Sequence, residues 1–565
     1  MKFKAFIFFI IFSFVSVISV FSQVSVSPEN DFYVIANGWH LKGYVEELPQ
    51  LKPYPINVIK KILNSVAVCG EESEEIKAKE LYESIFGKEW HVSTSFGFSE
   101  RISKDEITTE MDNLEFFDGK LGFFGDVEVN NLFSIGYDLS FYGFNTNVDF
   151  ENILPKFVAD TRKHRFNKLS FDINSFGINL DFNGIFAFGS ENTYVTAGLN
   201  KLGYGPFLSG DIILDSSSVQ FMNFTFNHSS KYFDFSQVFG VIGAEELNNT
   251  GFFDLRKFFS FHSLRVPLFS PKLSISYYEA VVFGENFMPS YFMPVPYVII
   301  GNVSGFNENL MAGLLLEWIP FDCVKVTSNL MIDDFAPKKI LKLKFDSGLR
   351  TALQTGLIYT PIDSLCDMIS VNYTLVTPYT YTWYDQGEYD YNFRNYTNMG
   401  NCIGSNLPPN SDRVYLALNF KPSKKVSIRT ISALARHGNA YESLTDEEVI
   451  AISEKTNYSD GSVNMTDMGL DTANDYTNFL TQNHIMYLIQ GGINIDYNFE
   501  LNKYGKFLFS FGYTFEYIRN AGVDRNIFNG KLETPEQVQN ARNEWKNSLH
   551  DVYNHYIFLG IKYMY

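Results

Sequence analysis

The chain has 565 residues, with 64 acidic against 45 basic side chains and a formal net charge of −19, a balance that excludes the clustered Lys and Arg of a nucleic-acid binder. Aromatic residues make up 17%, including 56 Phe and 34 Tyr, more rings than a water-surrounded core needs, and mean hydropathy is only −0.09, low for a bundle of membrane helices. Both values suit a transmembrane β-barrel, whose interface girdles use the rings and whose polar lumen and loops offset an apolar outer band.

Lys2 and Lys4 precede an apolar run over 5–20 and small residues around Ser22, the pattern of a secretory leader (1–22) cleaved near Ser22. Beyond it no window holds about 18 consecutive apolar residues, which excludes α-helical spans and leaves a closed barrel as the way to satisfy every backbone group in lipid. Residues 23–90 read differently from the rest. Pro55 starts a helix through Ile56, Ile59, Ile62 and Leu63. After Cys69 and Gly70, the acidic opening of Glu71, Glu72, Glu74 and Glu75 suits the N-terminus of a second helix reaching Phe86. The expectation is a periplasmic helical hairpin or plug, followed by a barrel over 91–565.

From Trp90 onward the period becomes two. Phe507, Phe509, Phe511, Tyr513, Phe515 and Tyr517 share one face of a strand whose other face carries Ser510, Gly512, Thr514 and Glu516. Val414, Leu416, Leu418 and Phe420 repeat the pattern opposite Tyr415 and Asn419, as do Ile493, Ile495, Tyr497 and Phe499 against Asn494, Asp496 and Asn498. Asn and Asp at regular inward positions imply a hydrated lumen. The apolar phase flips across Asn174 and Ser175, which places Ile173 and Phe176 on one face as a two-residue hairpin turn requires.

Short turns, mostly with Pro, join strands within 264–276, 316–328, 358–371, 419–430 and 497–510, and Pro, which donates no ladder hydrogen bond, belongs in such turns. Residues 556–565 alternate strictly and end on Tyr565, the form of a closing strand read by the barrel-insertion machinery. The fold class expected is all-β transmembrane: an up-and-down antiparallel outer-membrane β-barrel of about 16 to 18 strands. By parity the turns above face the periplasm. Long outer loops then fall near 384–412, 439–481 and 519–554, the last with a helix over 535–549 capped by Thr534.

Residues 377–396 carry the strongest ligand signal. Tyr379, Tyr381, Trp383, Tyr384, Tyr389, Tyr391 and Tyr396 are interleaved with Asp385, Arg394 and other polar groups. Flat rings cover apolar faces of sugars while polar neighbours read hydroxyls, so Tyr379, Tyr381, Trp383, Tyr384, Asp385, Tyr389, Tyr391, Arg394 and Tyr396 are candidate carbohydrate contacts. The bland alternative is an aromatic girdle running into a tyrosine-rich loop. Catalytic signals are weaker. Asp333 and Asp334 are adjacent, so on a strand they point to opposite faces, and His262, His437, His550 and His555 are scattered without a G-x-S-x-G elbow. No catalytic residue, metal site or cofactor is expected. Cys323 and Cys366 lie in consecutive turns, two strands apart, on the order of 10 Å at normal strand spacing and beyond disulfide reach; all four cysteines are expected free.

In order along the chain, the landmarks GYGPFLSGDIILDSSS (203–218), FHSLRVPL (261–268), SISYYEAVVFGENFMPSYFMPVPYV (274–298), NENLMAG (307–313), the DDF of 333–335 and YTNMGNCIGSNLPPNSDRV (396–414) resemble the Wzi-type capsule-assembly barrels of the outer membrane. The resemblance runs from about residue 32 to 437. It departs from the family's pattern at Pro408 and Pro409, where a Gly tends to precede Pro, and in the length of 439–481. It implies a barrel of 18 strands, closed by helices on the periplasmic side, that binds surface polysaccharide. The functional expectation is therefore a non-enzymatic cell-surface barrel that binds or helps assemble and display polysaccharide, with outer-membrane lipid, glycan and the insertion machinery as partners. The rival is a porin-like channel or solute transporter with a periplasmic plug; a third reading is an adhesin using 439–481.

Overall fold

The computed structural model describes residues 25–565 apart from 106–110, 149, 158–170, 174, 244, 247–255, 285–286, 305–307, 334–348, 363, 384–390, 393, 454–459, 464–478, 502–504 and 529. The expected leader lies outside the described residues. Eighteen antiparallel strands close into one barrel: β1 His91–Asp105, β2 Met111–Asn130, β3 Phe133–Asn145, β4 Phe176–Gly189, β5 Thr193–Asn200, β6 Phe221–Ser229, β7 Asp234–Gly243, β8 Arg256–Leu268, β9 Ser270–Gly284, β10 Asn309–Phe321, β11 Val324–Ile332, β12 Thr351–Tyr359, β13 Cys366–Val376, β14 Ser411–Ser423, β15 Val426–Gly438, β16 Ile485–Glu500, β17 Lys506–Ala521 and β18 His550–Met564. Closure is made by β1 on β18, in register from Ser93 opposite Met564 to Asp105 opposite Val552. The barrel is thus of the outer-membrane type, at the upper bound of the expected strand number.

Short turns gather at one end of the barrel, together with the C-terminal Tyr565, and the long connections gather at the other. The two-residue hairpin stands where the phase flip placed it: Phe171–Ile173 folds back on β4 with Ile173 opposite Phe176, and Ser175 takes φ 68°. Alternation translates directly into exposure. Val414, Leu434, Ile489, Phe509, Phe511, Leu559 and Ile561 stand exposed on the outer wall, an apolar band that lipid would cover. Their strand neighbours Arg413, Arg429, Asn494 and Thr514 face the lumen. Among the described residues no helix is long and apolar enough to cross a membrane.

Three helices precede the barrel: α1 Asp31–Leu41, α2 Ile56–Cys69 and α3 Glu72–Phe86. Ile59, Ile62, Leu63 and Val66 of α2 recur at helical spacing and are buried with Trp39, Tyr54, Ala78 and Ile85. Glu72, Glu74 and Glu75 occupy the first turn of α3, where carboxylates meet the positive end of the helix dipole. This segment spans the turn-end mouth. Lys60 pairs with Glu128, Asn57 donates to Gly189 O, Leu41 O accepts from Cys323 N, and Lys424 pairs with Glu80 at 3.1 Å.

Residues 201–220, between β5 and β6, turn into the lumen and carry the largest apolar cluster. Leu202, Tyr204, Ile212, Ile213 and Leu214 pack against the inward faces of β8 to β12 through Phe259, Phe261, Tyr278, Met311 and Met331. Residues 289–304, which end in α4 Tyr297–Ser304, do the reverse and lie on the outside of the wall. Gln237, Ser260, His262 and Glu279 share the outward face with the exposed Leu264 and Tyr277, yet all four are buried beneath Tyr291 and Tyr297. The Tyr297 hydroxyl lies 2.7 Å from both Gln237 Nε2 and Ser260 Oγ, and His262 pairs with Glu279 at 3.2 Å. Above β14 to β18, α5 Asp446–Ser453 and α6 Pro535–Ser548 form an outer cap, tied by Arg542 on Asp446 at 2.9 Å.

Candidate functional site in the lumen

A slot of about 540 Å³ lies inside the barrel among the described residues, a size typical of ligand sites. Its wall is the inner face of β14 to β17, where the period-two pattern sets Arg413, Tyr415, Arg429, Ile431, Ala433, Gln490, Asn494 and Thr514 side by side. Opposite stands 205–217. The floor is built from α1 and 48–54, and the ceiling from Pro155 and Phe157 of the β3–β4 connection.

The floor is an ion cluster. Glu317 pairs with Lys325 and lies 3.9 Å from Arg265 Nε, and Arg265 reaches Asp234 at 3.1 Å. Gln50 donates to Glu317 at 2.6 Å while its carbonyl accepts from Tyr204 at 2.8 Å and Ser276 at 3.0 Å, which fastens the N-terminal segment to the wall. Burial drives the His40 imidazole down to about 4, so it lines the slot uncharged, and the same cause brings the Lys52 ammonium down to about 8.

The ceiling is latched. Glu516, fully buried on β17, accepts from Lys156 N at 2.9 Å and from Gln490 at 2.6 Å, and its other oxygen accepts from Asn554 and Tyr556, both at 2.9 Å. Next to that latch Phe157 holds φ 63°, a left-handed backbone that a bulky residue adopts only under constraint. Its ring packs against both the luminal and the outer-cap clusters.

A polar backbone cannot enter a lumen without partners, and distant side chains supply them to 201–220. Tyr381 donates to Ile212 O at 2.6 Å, Tyr396 to Ile213 O at 2.7 Å, Lys52 to Gly205 O at 2.9 Å, Gln354 to Gly210 O at 2.8 Å and Arg413 to Ser209 O at 2.9 Å. Gly205 and Gly210 take φ 97° and 95°, a left-handed turn that glycine makes without strain.

These contacts reassign part of the aromatic stretch. Tyr379, Tyr381 and Tyr396 are buried, the last two stacked with ring centroids 5.7 Å apart. As placed, they hold the inward segment and the loop core, and their faces are not open to a sugar: the hydroxyls of Tyr381 and Tyr396 are paired internally, and that of Tyr379 is buried without a partner. Trp383 is half-buried, its backbone N–H donating to Asn395 at 2.8 Å and its indole Nε1 without a partner. Tyr391 pairs in backbone register with Glu246, and Arg394 Nε is 4.0 Å from Glu308. Tyr384, Asp385 and Tyr389 lie outside the described residues.

Asp333 accepts from Tyr381 N at 2.6 Å, a loop-end structural contact; Asp334 lies outside the described residues. His437 bridges Ser411 Oγ, 2.7 Å from Nδ1, and Asp460 Oδ2, 2.9 Å from Nε2. All three side chains are buried and none lines the slot, so the chain of contacts is a clasp between wall and loop. The four cysteines are free thiols. The sequence reading missed the slot itself, although Tyr415, Asn419 and Asn494 had been assigned to inward faces.

Scans against protein-family models and curated proteins return no match. Among solved structures the chain is similar to Wzi of Escherichia coli, described as an outer membrane protein involved in group 1 capsule assembly and a carbohydrate-binding β-barrel, at 11% identity and a TM-score of 0.49 over 96% of this chain and 99% of that one. It is also similar to Pseudomonas aeruginosa OpdQ, at 9% identity and a TM-score of 0.41 over 84% and 97% of the two chains. A BenF-like porin from Pseudomonas fluorescens Pf-5 follows, at 8% and 0.40 over 84% and 98%.

Proposed function

We propose that this outer-membrane barrel binds surface polysaccharide through its loop end and lumen slot, without chemistry of its own. The supporting observation is the way the bore is filled. Residues 201–220 occupy it and the N-terminal segment spans the turn-end mouth, leaving a slot walled by a ring, Tyr415, and by the amides and hydroxyl of Gln490, Asn494 and Thr514. Rings suit the apolar faces of sugars, and amides suit hydroxyls because they both donate and accept. A diffusion channel needs a continuous path, and both fillings oppose one. In this reading the turn end and α1 to α3 face the periplasm, and Trp383, Tyr384 and Tyr389 are candidate sugar contacts.

The test is binding of purified surface polysaccharide and of a glycan panel to full-length refolded protein, beside Trp383→Ala and Tyr384→Ala for the candidate contacts in 377–396 and Tyr415→Ala for the slot. Saturable binding weakened severalfold by these changes is expected. Absence of binding above a denatured control, together with steady conductance in planar bilayers, would replace the reading with a transporter.

A further inference from the structure

The slot carries an imbalance of charge pairing. Of its acidic side chains, Glu317 is engaged by Lys325 and Arg265, Glu29 by Lys201 at 2.8 Å, and Asp215 through one oxygen by Ser217 N at 2.9 Å, its Oδ2 being buried without a hydrogen-bond partner, while Asp31 sits in the first turn of α1. Two guanidiniums are not matched in this way. Arg413 donates to the neutral Ser209 O and to Asn406 Oδ1, at 2.9 and 3.0 Å, with the Asp215 carboxylate acting on it from beyond ion-pair distance, and its Nε–H is buried without a partner. Arg429 pairs with no carboxylate among the described residues, and its Nε–H is likewise buried and unpartnered. An orphaned donor on a permanent cation is costly to bury, and in a chain of net charge −19 two such cations on one wall are conspicuous.

The spacing adds a second constraint. Arg413 stands opposite Ala435, and Arg429 lies six residues further along β15, roughly 20 Å at about 3.3 Å per residue. Between them the wall is Tyr415, Ile431 and Ala433, a ring and apolar surface without charge. A ligand matching this wall is extended, ring-stacking in its middle and anionic at intervals.

Resting on the glycan reading above, we propose that the slot takes a run of an acidic, uronate-type polysaccharide. Arg429 receives one sugar carboxylate at the part of its guanidinium that lines the slot, and Arg413 faces another nearer the loop end. Guanidinium suits this role because its planar fork matches a carboxylate with two parallel hydrogen bonds.

Isothermal titration of the full-length refolded barrel with oligogalacturonate and oligomannuronate, each beside its carboxyl-reduced counterpart, tests the assignment, with heat-modifiable gel migration reporting the folded barrel. At least one acidic chain is expected to bind more tightly than its reduced form, with an affinity that falls as salt rises. Arg429→Gln should weaken acidic binding by about ten- to a hundredfold, the range of a lost charge-assisted hydrogen bond; Arg429→Lys should weaken it less, and binding of the reduced chains should fall by a smaller factor than that of the acidic ones. Should the Gln variant fail to fold, the acid-against-reduced preference of the unaltered protein decides by itself. Equal binding of acidic and reduced chains, or binding of neutral glycans alone, overturns the acidic assignment and leaves the glycan reading standing. No binding of any glycan overturns both.

Discussion

At the residue scale, the tyrosines of 377–396 show how one side-chain type serves two ends. Tyr381 and Tyr396 meet the carbonyls of Ile212 and Ile213, so Tyr381→Phe leaves a buried carbonyl unpaired. A loss of about 1–3 kcal/mol is expected, measurable as a lower urea midpoint at unchanged slope; no shift would mean that the inward segment is held by packing alone. Asp211 offers a pH-dependent counterpart. Burial, reinforced by Asp215, pushes its carboxyl up to about 8, against about 3.9 in an unfolded chain. The folded protein therefore holds the extra proton, and the stability this group contributes is whole below about pH 4 and lost as pH rises through about 8. Asp215, raised to about 6 by burial, acts in the same direction. Urea midpoints should accordingly fall between pH 5 and pH 9, and Asp211→Asn should flatten that fall; a slope indifferent to the substitution would place the titration elsewhere.

At the element scale, 289–304 answers a problem that the wall creates. His262 and Glu279 point outward, where apolar surroundings would strand them, and the covering segment supplies the Tyr297 backbone N–H to Glu279 and the Tyr297 hydroxyl to Ser260 and Gln237. Removing His262 takes one partner from a buried carboxylate that keeps the Tyr277 hydroxyl and the Tyr297 N–H, at about 1–3 kcal/mol, whereas replacing both with apolar groups is milder. His262→Leu should thus destabilise the refolded barrel, and His262→Leu with Glu279→Leu should recover most of that loss in denaturant titrations. A double variant no better than the single would refute a coupled pair. The outer cap presents a simpler device: Thr534 and Gln537 form a capping box at the start of α6, so Thr534→Ala should cost about 1 kcal/mol and speed amide exchange in 535–548 ahead of the strands.

At the scale of the whole molecule, two chain segments that do not belong to the wall meet the bore: 201–220 packs inside it and the N-terminal segment is anchored at its turn end. Replacing 205–217 with a short Gly-Ser linker should convert a poorly conducting barrel into a conducting one in planar bilayers, because it removes the apolar cluster centred on Ile212, Ile213 and Leu214. If conductance stays low, the N-terminal segment, anchored through Gln50 and Lys60, is sufficient to block the bore.

The amino-acid sequence by itself determined the wall: which side chains face out, where the short turns fall, where the hairpin at Ile173 and Phe176 sits, and that a helical segment precedes the first strand; Pro267, Pro271, Pro320 and Pro422, expected in the turns, lie instead in the strand ends beside them. These are local properties, since alternation has a period of two and turn chemistry spans a few residues. Only the tertiary structure decided what fills the bore and what lies on the outside of it. A connection such as 201–220 turns inward because Gln354, Lys52, Arg413, Tyr381 and Tyr396, scattered over more than 300 residues of chain, converge on its carbonyls. Periodicity assigns a side chain to a face, and carries no information about which distant segment will meet it there.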